Sequence, residues 1–156
     1  MKEYKGDEFL YLVEVEDEDG TKDRRFFNQT DGSSTIDADS IDLDTKDRTG
    51  SDYGSITESV SLEGVLTEGD PAVKYVKKQL RKKRLVKITE VNTRTLDTES
   101  GDYMISSFEK TSTNGDFATY SLDAELNGDI KEGKLDEVPE GAGDPEDDDG
   151  DGGVEG

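Results

Sequence analysis

From Ile56 to Leu66, and again within the strand expected over Phe117 to Leu126, apolar and polar side chains alternate one residue at a time. Only an extended chain puts successive side chains on opposite faces. Each run is therefore a strand with one buried and one wet face, the mark of an antiparallel sheet. In the first run Ile56, Val60, Leu62 and Leu66 share the apolar face, which Glu58 and Gly64 interrupt. In the second, Ala118, Tyr120, Leu122, Ala124 and Leu126 do so. Five further stretches are rich enough in aromatic and β-branched residues, or bounded well enough by turns, to be strands. They are Glu8 to Glu16, Arg24 to Thr30, Ser33 to Asp44, Leu85 to Val91 and Tyr103 to Thr111. Breaks are expected at Asp17 to Gly20, at Asp31-Gly32 and at Asn114-Gly115, the last a hairpin signal. Lys46 to Ser55, polar with Gly50 and Gly54, reads as a loop.

One helix interrupts this pattern. Asp70 suits an N-cap and Pro71 the first helical position. Val73, Val76 and Leu80 then fall on one face, with lysines opposite, and the helix is expected over about residues 71–83. About seven strands and one helix make a mainly β fold, an antiparallel sandwich or barrel.

Charge divides the chain. Residues 1–133 carry 30 acidic and 18 basic side chains, a net of −12, and Lys134 to Gly156 carry ten acidic and one basic, a net of −9. The end is Gly, Asp, Glu and Pro, so a domain over 1–131 and a disordered, self-repelling acidic tail over 132–156 are expected. Such acidity argues against ordinary binding to phosphates. There is no Cys and no His. That excludes disulfides, a Ser-His-Asp triad and nearly every zinc site. No run is apolar enough to span a bilayer and the start lacks a signal-peptide core, so synthesis in cytoplasm is expected.

Three clusters are candidate sites. Asp147, Asp149, Asp151 and Gly152 match the opening of a calcium loop, but the closing Glu would fall beyond Gly156, so a solvated tail is the better reading and no cofactor or metal is expected. Asp37, Asp39, Asp42 and Asp44 could pair as hydrolytic carboxylates, with Asp37 and Asp39 on one strand face and Asp42 and Asp44 on the other. A solvated strand edge, or a face for a basic partner, suits them better. Lys74, Lys77, Lys78, Arg81, Lys82, Lys83, Arg84 and Lys87 have no acid among them. A nucleic-acid patch would look like this, yet the surrounding domain is acidic. Contact with acidic patches on sister copies is favoured over nucleic acid, and a solvated helix face is nearly as good. No residue set points to an enzyme.

The order of segments resembles the major tail proteins of long non-contractile phage tails, the TP901-1-like tail tube family. The likeness runs over about residues 6–130. It rests on Gly6 to Val13, Gln29 to Ser33 and Ala38 to Asp47, then on Ser59 to Gly64, the helix after Asp70, and Ala118 to Gly128. The resemblance implies two packed sheets with a flanking helix, and a tube of stacked six-membered rings that houses a tape-measure protein and conducts DNA. Tail terminator and distal tail proteins are implied at its ends, and the virion tail as its place. It gives the long loop after the third strand, Asp44 to Ser55, the inter-ring contact, with Asp44, Lys46, Asp47, Arg48, Asp52 and Tyr53 as its residues. Ordering that loop on stacking would cost roughly 1–2 kcal/mol per residue. Lys74, Lys77, Lys78, Arg81 and Lys82 become subunit contacts. Asp37, Asp39 and Asp42 become channel lining or an acidic face for a partner. The competing class is an acidic DNA mimic, or another protein-binding module, acting as a monomer or dimer.

Overall fold

The computed structural model describes residues 2–17, 20–26 and 28–137. The described elements begin with a short 3-10 turn, Gly6–Glu8, followed by β1 (Phe9–Asp17), β2 (Gly20–Arg25), β3 (Gln29–Asp44) and β4 (Thr49–Val65). Then come the helix α1 (Pro71–Arg81) and β5 (Val86–Asn92), β6 (Asp97–Thr111), β7 (Thr119–Leu126) and β8 (Lys131–Lys134). All pairings are antiparallel. The two sheets implied by the family resemblance are hydrogen-bonded into one, in the order β2-β1-β5-β6-β7-β4-β3, with β8 on β6.

The sheet curls until β3, at one end, meets β1. Gln29, at the start of β3, accepts a hydrogen bond from the Tyr11 N–H (3.2 Å) and donates to the Tyr11 carbonyl (3.0 Å). One side-chain amide thus supplies both bonds that a paired strand would give β1, and a barrel-like core closes. Inside lie Tyr11, Val13 and Val15 of β1, Val60 and Leu62 of β4, Val86 and Ile88 of β5, and Tyr120, Leu122 and Ala124 of β7. A fully buried side chain such as Leu62 stabilises the fold by roughly 1.5–3 kcal/mol. Val73 and Val76 of α1 join the same cluster.

Four expectations need correcting. The strand expected over Arg24 to Thr30 is instead β2, ending at Arg25, because the chain turns at Asn28 (φ 55°) and sinks Phe26 against Tyr120. Asp31-Gly32 is no break. A Cβ on Gly32 would come 2.5 Å from the Tyr11 ring, so the glycine gives the aromatic room inside β3. The loop expected over Asp44 to Ser55 is a hairpin, paired from Ile36↔Glu58 to Asp44↔Thr49 with one bulge. β8, absent from the expected strands, crosses the expected boundary at 131 to pair with β6. The tail from Val138 onward lies outside the described residues.

Candidate assembly surfaces

β4 is held by β7 only between Ser59 and Val65. Beyond that point, among the described residues, β3 and β4 pair with each other alone, so residues 36–58 form a free two-stranded arm. Its tip is built by Thr45. The hydroxyl accepts from the N–H groups of Asp47 (3.3 Å) and Arg48 (3.0 Å), and the Thr45 N–H donates to the Arg48 carbonyl (2.8 Å). Midway, Asp39 faces a bulge at Gly54 and Ser55, and the Ser55 hydroxyl donates to its carboxylate (2.8 Å). A Cβ on Gly54 would sit 3.2 Å from the Asp39 carbonyl, a close approach that suits glycine.

The arm gathers two sets of candidate residues on one element. Asp44, Lys46, Asp47, Arg48, Asp52 and Tyr53 surround the tip, and Asp37, Asp39 and Asp42 line β3 below it, all exposed. The arm also bears large apolar side chains that water reaches: Ile36 (66% exposed), Ile41, Leu43, Tyr53 (76%) and Ile56. Strand alternation puts Ile36 and Ile56 on one face and Ile41 and Leu43 on the other. Ile56, expected on the buried face, is therefore out. The signal was present at Glu58, where the apolar pattern lapses as the ribbon leaves the sheet.

The second surface is α1. Asp70 caps it, accepting from the Ala72 N–H at 3.0 Å. Ala72, Val73 and Val76 are buried, while Lys74, Lys78, Arg81 and Lys82 face solvent. Lys77 lies over the Phe108 ring, 5.8 Å from its centroid, and Lys87 meets Glu14 at 3.4 Å. The helix ends in a Schellman motif, with Arg84 N–H bound to Gln79 O (2.9 Å) and Lys83 N–H to Leu80 O (3.0 Å). Lys83 occupies the left-handed position (φ 59°) that such a motif usually gives to glycine.

The family model for phage tail tube proteins matches residues 3–132. The chain belongs to the phage tail tube protein family. As a tail tube protein it is a structural component of a phage or phage-like tail. Its fold is similar to the SPP1 tail tube (TM-score 0.75, 20% identity, covering 87% of this chain and 83% of that one). It is also similar to the tail of an empty gene transfer agent particle with C6 symmetry (0.68, 13%, 83% and 98%). The sheath-tube complex of an extracellular contractile injection system, PVC, shares the fold more distantly (0.59, 15%, 81% and 88%). No curated protein matches by sequence.

The remaining carboxylates of this tail tube protein follow a different plan. Asp37 to Asp44 stay on the arm and do not line the groove of about 570 Å³ between β1 and the start of β3, which Asp7, Asp31 and Glu90 border instead. Among the described residues no group of three or more carboxylates is placed to hold a metal ion, and the expected calcium-loop residues lie outside them. A row that sequence reasoning missed crosses three strands: Glu90 on β5 opposes Glu99 on β6, which opposes Glu132 on β8. With Glu58, Glu90 and Glu99 border a cavity of about 150 Å³ at one end of the core. Tyr11 donates to Glu90 at 2.7 Å, and burial followed by this bond pushes its hydroxyl pKa far up. Burial, then Glu90, Glu132 and Glu58, lift the Glu99 carboxyl above the ordinary range. Burial, then Glu58, Glu90 and Glu99, push the Tyr103 hydroxyl up to about 12.

Proposed function

We propose that this chain is the major subunit of a tail tube, closing in sixes into rings that stack into the channel through which DNA is ejected. The observation that carries it is the arm. A free monomer gains nothing from a ribbon that exposes large apolar side chains on both faces, so the arm has its partner in another copy. Rings of six are supported by the C6 symmetry of the gene transfer agent tail whose fold is similar. Open sheet edges invite pairing, and a heterologous contact closes into a ring or runs on as a filament.

On this reading Asp44, Lys46, Asp47, Arg48, Asp52 and Tyr53 make the inter-ring contact. Lys74, Lys77, Lys78, Arg81 and Lys82 meet neighbouring subunits. Asp37, Asp39 and Asp42 share the arm, which favours an acidic face for a partner over channel lining. Other carboxylates of the −12 fold then line a channel that repels phosphate and does not retain DNA. The partners are further copies, a tape-measure protein within, terminator and distal tail proteins at the ends, and double-stranded DNA in transit. The place is the virion tail.

Ile36 and Glu58 are directly paired, so joining them through Asn-Gly removes residues 37–57 and leaves the sheet intact. The excised chain is expected to melt like the full chain and stay monomeric where the full chain forms hollow tubes in negative stain. Tubes from the excised chain would overturn the reading. So would a full chain that never forms rings or tubes and competes with DNA for a basic protein.

A further inference from the structure

We propose that the acidic arm of one copy docks across the basic face of α1 in a second copy. The inference rests on the tube reading and names the receiving surface for its arm.

The charges are segregated by element. Residues 36–58 hold seven acidic and two basic side chains, whereas Lys74 to Lys87 hold eight basic and no acidic ones. Among the described residues, ion pairs leave both sets largely unneutralised, the pair of Lys87 with Glu14 being the exception. Asp37, Asp42, Asp44 and Asp52 make no ion pair among the described residues, and Lys74, Lys78, Arg81 and Lys82 make none either.

The dimensions agree. Nine residues of extended arm, from Ile36 to Asp44, reach about 30 Å. The eleven-residue helix is about 16 Å long. One arm can therefore cross the whole basic face. The apolar side chains of the arm also find a counterpart, since Leu85 is exposed among Arg84 and Lys87. A further mark is Lys83, held in a backbone conformation that costs a lysine energy and would suit glycine. A cation there has a use outside the monomer.

Charge complementarity of this kind sets register and encounter rate, while apolar burial holds the contact. A nucleic acid on the helix is the rival occupant. It leaves the exposed Ile36, Ile41, Leu43, Tyr53 and Ile56 without a partner.

Three variants test the docking: an arm reversal (Asp42→Lys, Asp44→Lys, Asp52→Lys), a helix reversal (Lys74→Glu, Lys78→Glu, Arg81→Glu), and one chain carrying both. All six sites are exposed, and a cooperative thermal melt of each variant is the check that it folds. Each single reversal is expected to cut pelletable tubes by about tenfold or more, and the combined chain to recover them to within about threefold. Folded single reversals that polymerise like wild type, or a combined chain that does not recover, overturn the docking. Loss of DNA retention by the helix reversal with unchanged tube formation also overturns it, in favour of nucleic acid.

Carbodiimide cross-linking of wild-type tubes supplies an independent measurement. It is expected to join the Asp42, Asp44 or Asp52 carboxylates to Lys74 or Lys78, with these links missing from unpolymerised protein. Tubes whose helix lysines link only to other carboxylates refute the docking. Failure of the tube reading looks different: wild type then forms no tubes under any condition.

Discussion

Glu99 sits where a carboxylate is least welcome, opposed by Glu90 on one side and Glu132 on the other. Its pKa is raised in the fold, so the folded chain binds this proton more readily than the unfolded chain does. The group favours folding below the ordinary carboxylate range, and that contribution is lost as pH rises through the folded value. At neutral pH the ionised side chain is a cost. Glu99→Gln keeps the shape and removes the charge. It is expected to stabilise the fold at pH 7 by roughly 0.2–1 kcal/mol, the size of a directly opposed like-charge pair. At a pH below the ordinary carboxylate range, where the carboxyl is protonated in both states, the gain should shrink. Denaturant titrations at the two pH values measure the difference, and equal gains would mean that the opposed charges are not the cause. Gly64 shows the same dependence on distant partners. It interrupts the apolar alternation of its strand because a Cβ there would lie 2.6 Å from the Tyr120 hydroxyl and 2.7 Å from the Asn28 carbonyl.

Among the elements, α1 was the most legible and the arm the least. Asp70, Pro71 and the spacing of Val73 and Val76 are local signals, and the helix begins where they put it. Its end depends on Lys83 in the left-handed region. Lys83→Gly removes that strain, partly offset by the greater freedom of glycine when unfolded, and is expected to stabilise the monomer by about 0.5–1 kcal/mol. If Lys83 serves the docking of an arm, the same variant should slow tube growth. A thermal melt beside a light-scattering time course reads both. The part of the arm expected as a loop, Thr49 to Ser55, escaped detection as strand because it is exposed on both faces. Period-2 patterning records a contrast between core and water, and a ribbon with no buried face has none. Its turn also lacks an Asn-Gly or Asp-Gly pair and relies on the Thr45 hydroxyl.

At the scale of the whole molecule, a net charge of −12 over residues 1–133 works against compactness. Moving from about 0.01 M to about 0.15 M salt shortens the screening length from roughly 30 Å to roughly 8 Å. The melting temperature of the arm-excised monomer is expected to rise over that range. A fall would mean that attractive pairs such as Arg94 with Glu8, 2.7 Å apart, outweigh the repulsion. The same scale separates what the chain determines locally from what its fold decides. Alternation in β4 and β7, the cap of α1, the Asn114-Gly115 turn and the segregation of charge are properties of neighbours in sequence. They establish a mainly β fold with one basic helix. The closing of the sheet by Gln29, the places made for Tyr11 and Tyr120 by Gly32 and Gly64, and the glutamate row on β5, β6 and β8 join residues far apart in the chain. So does the freedom of the arm, which follows from where β7 stops. Such contacts depend on which strands become neighbours, and strand order is settled only when the curled sheet buries its one shared core.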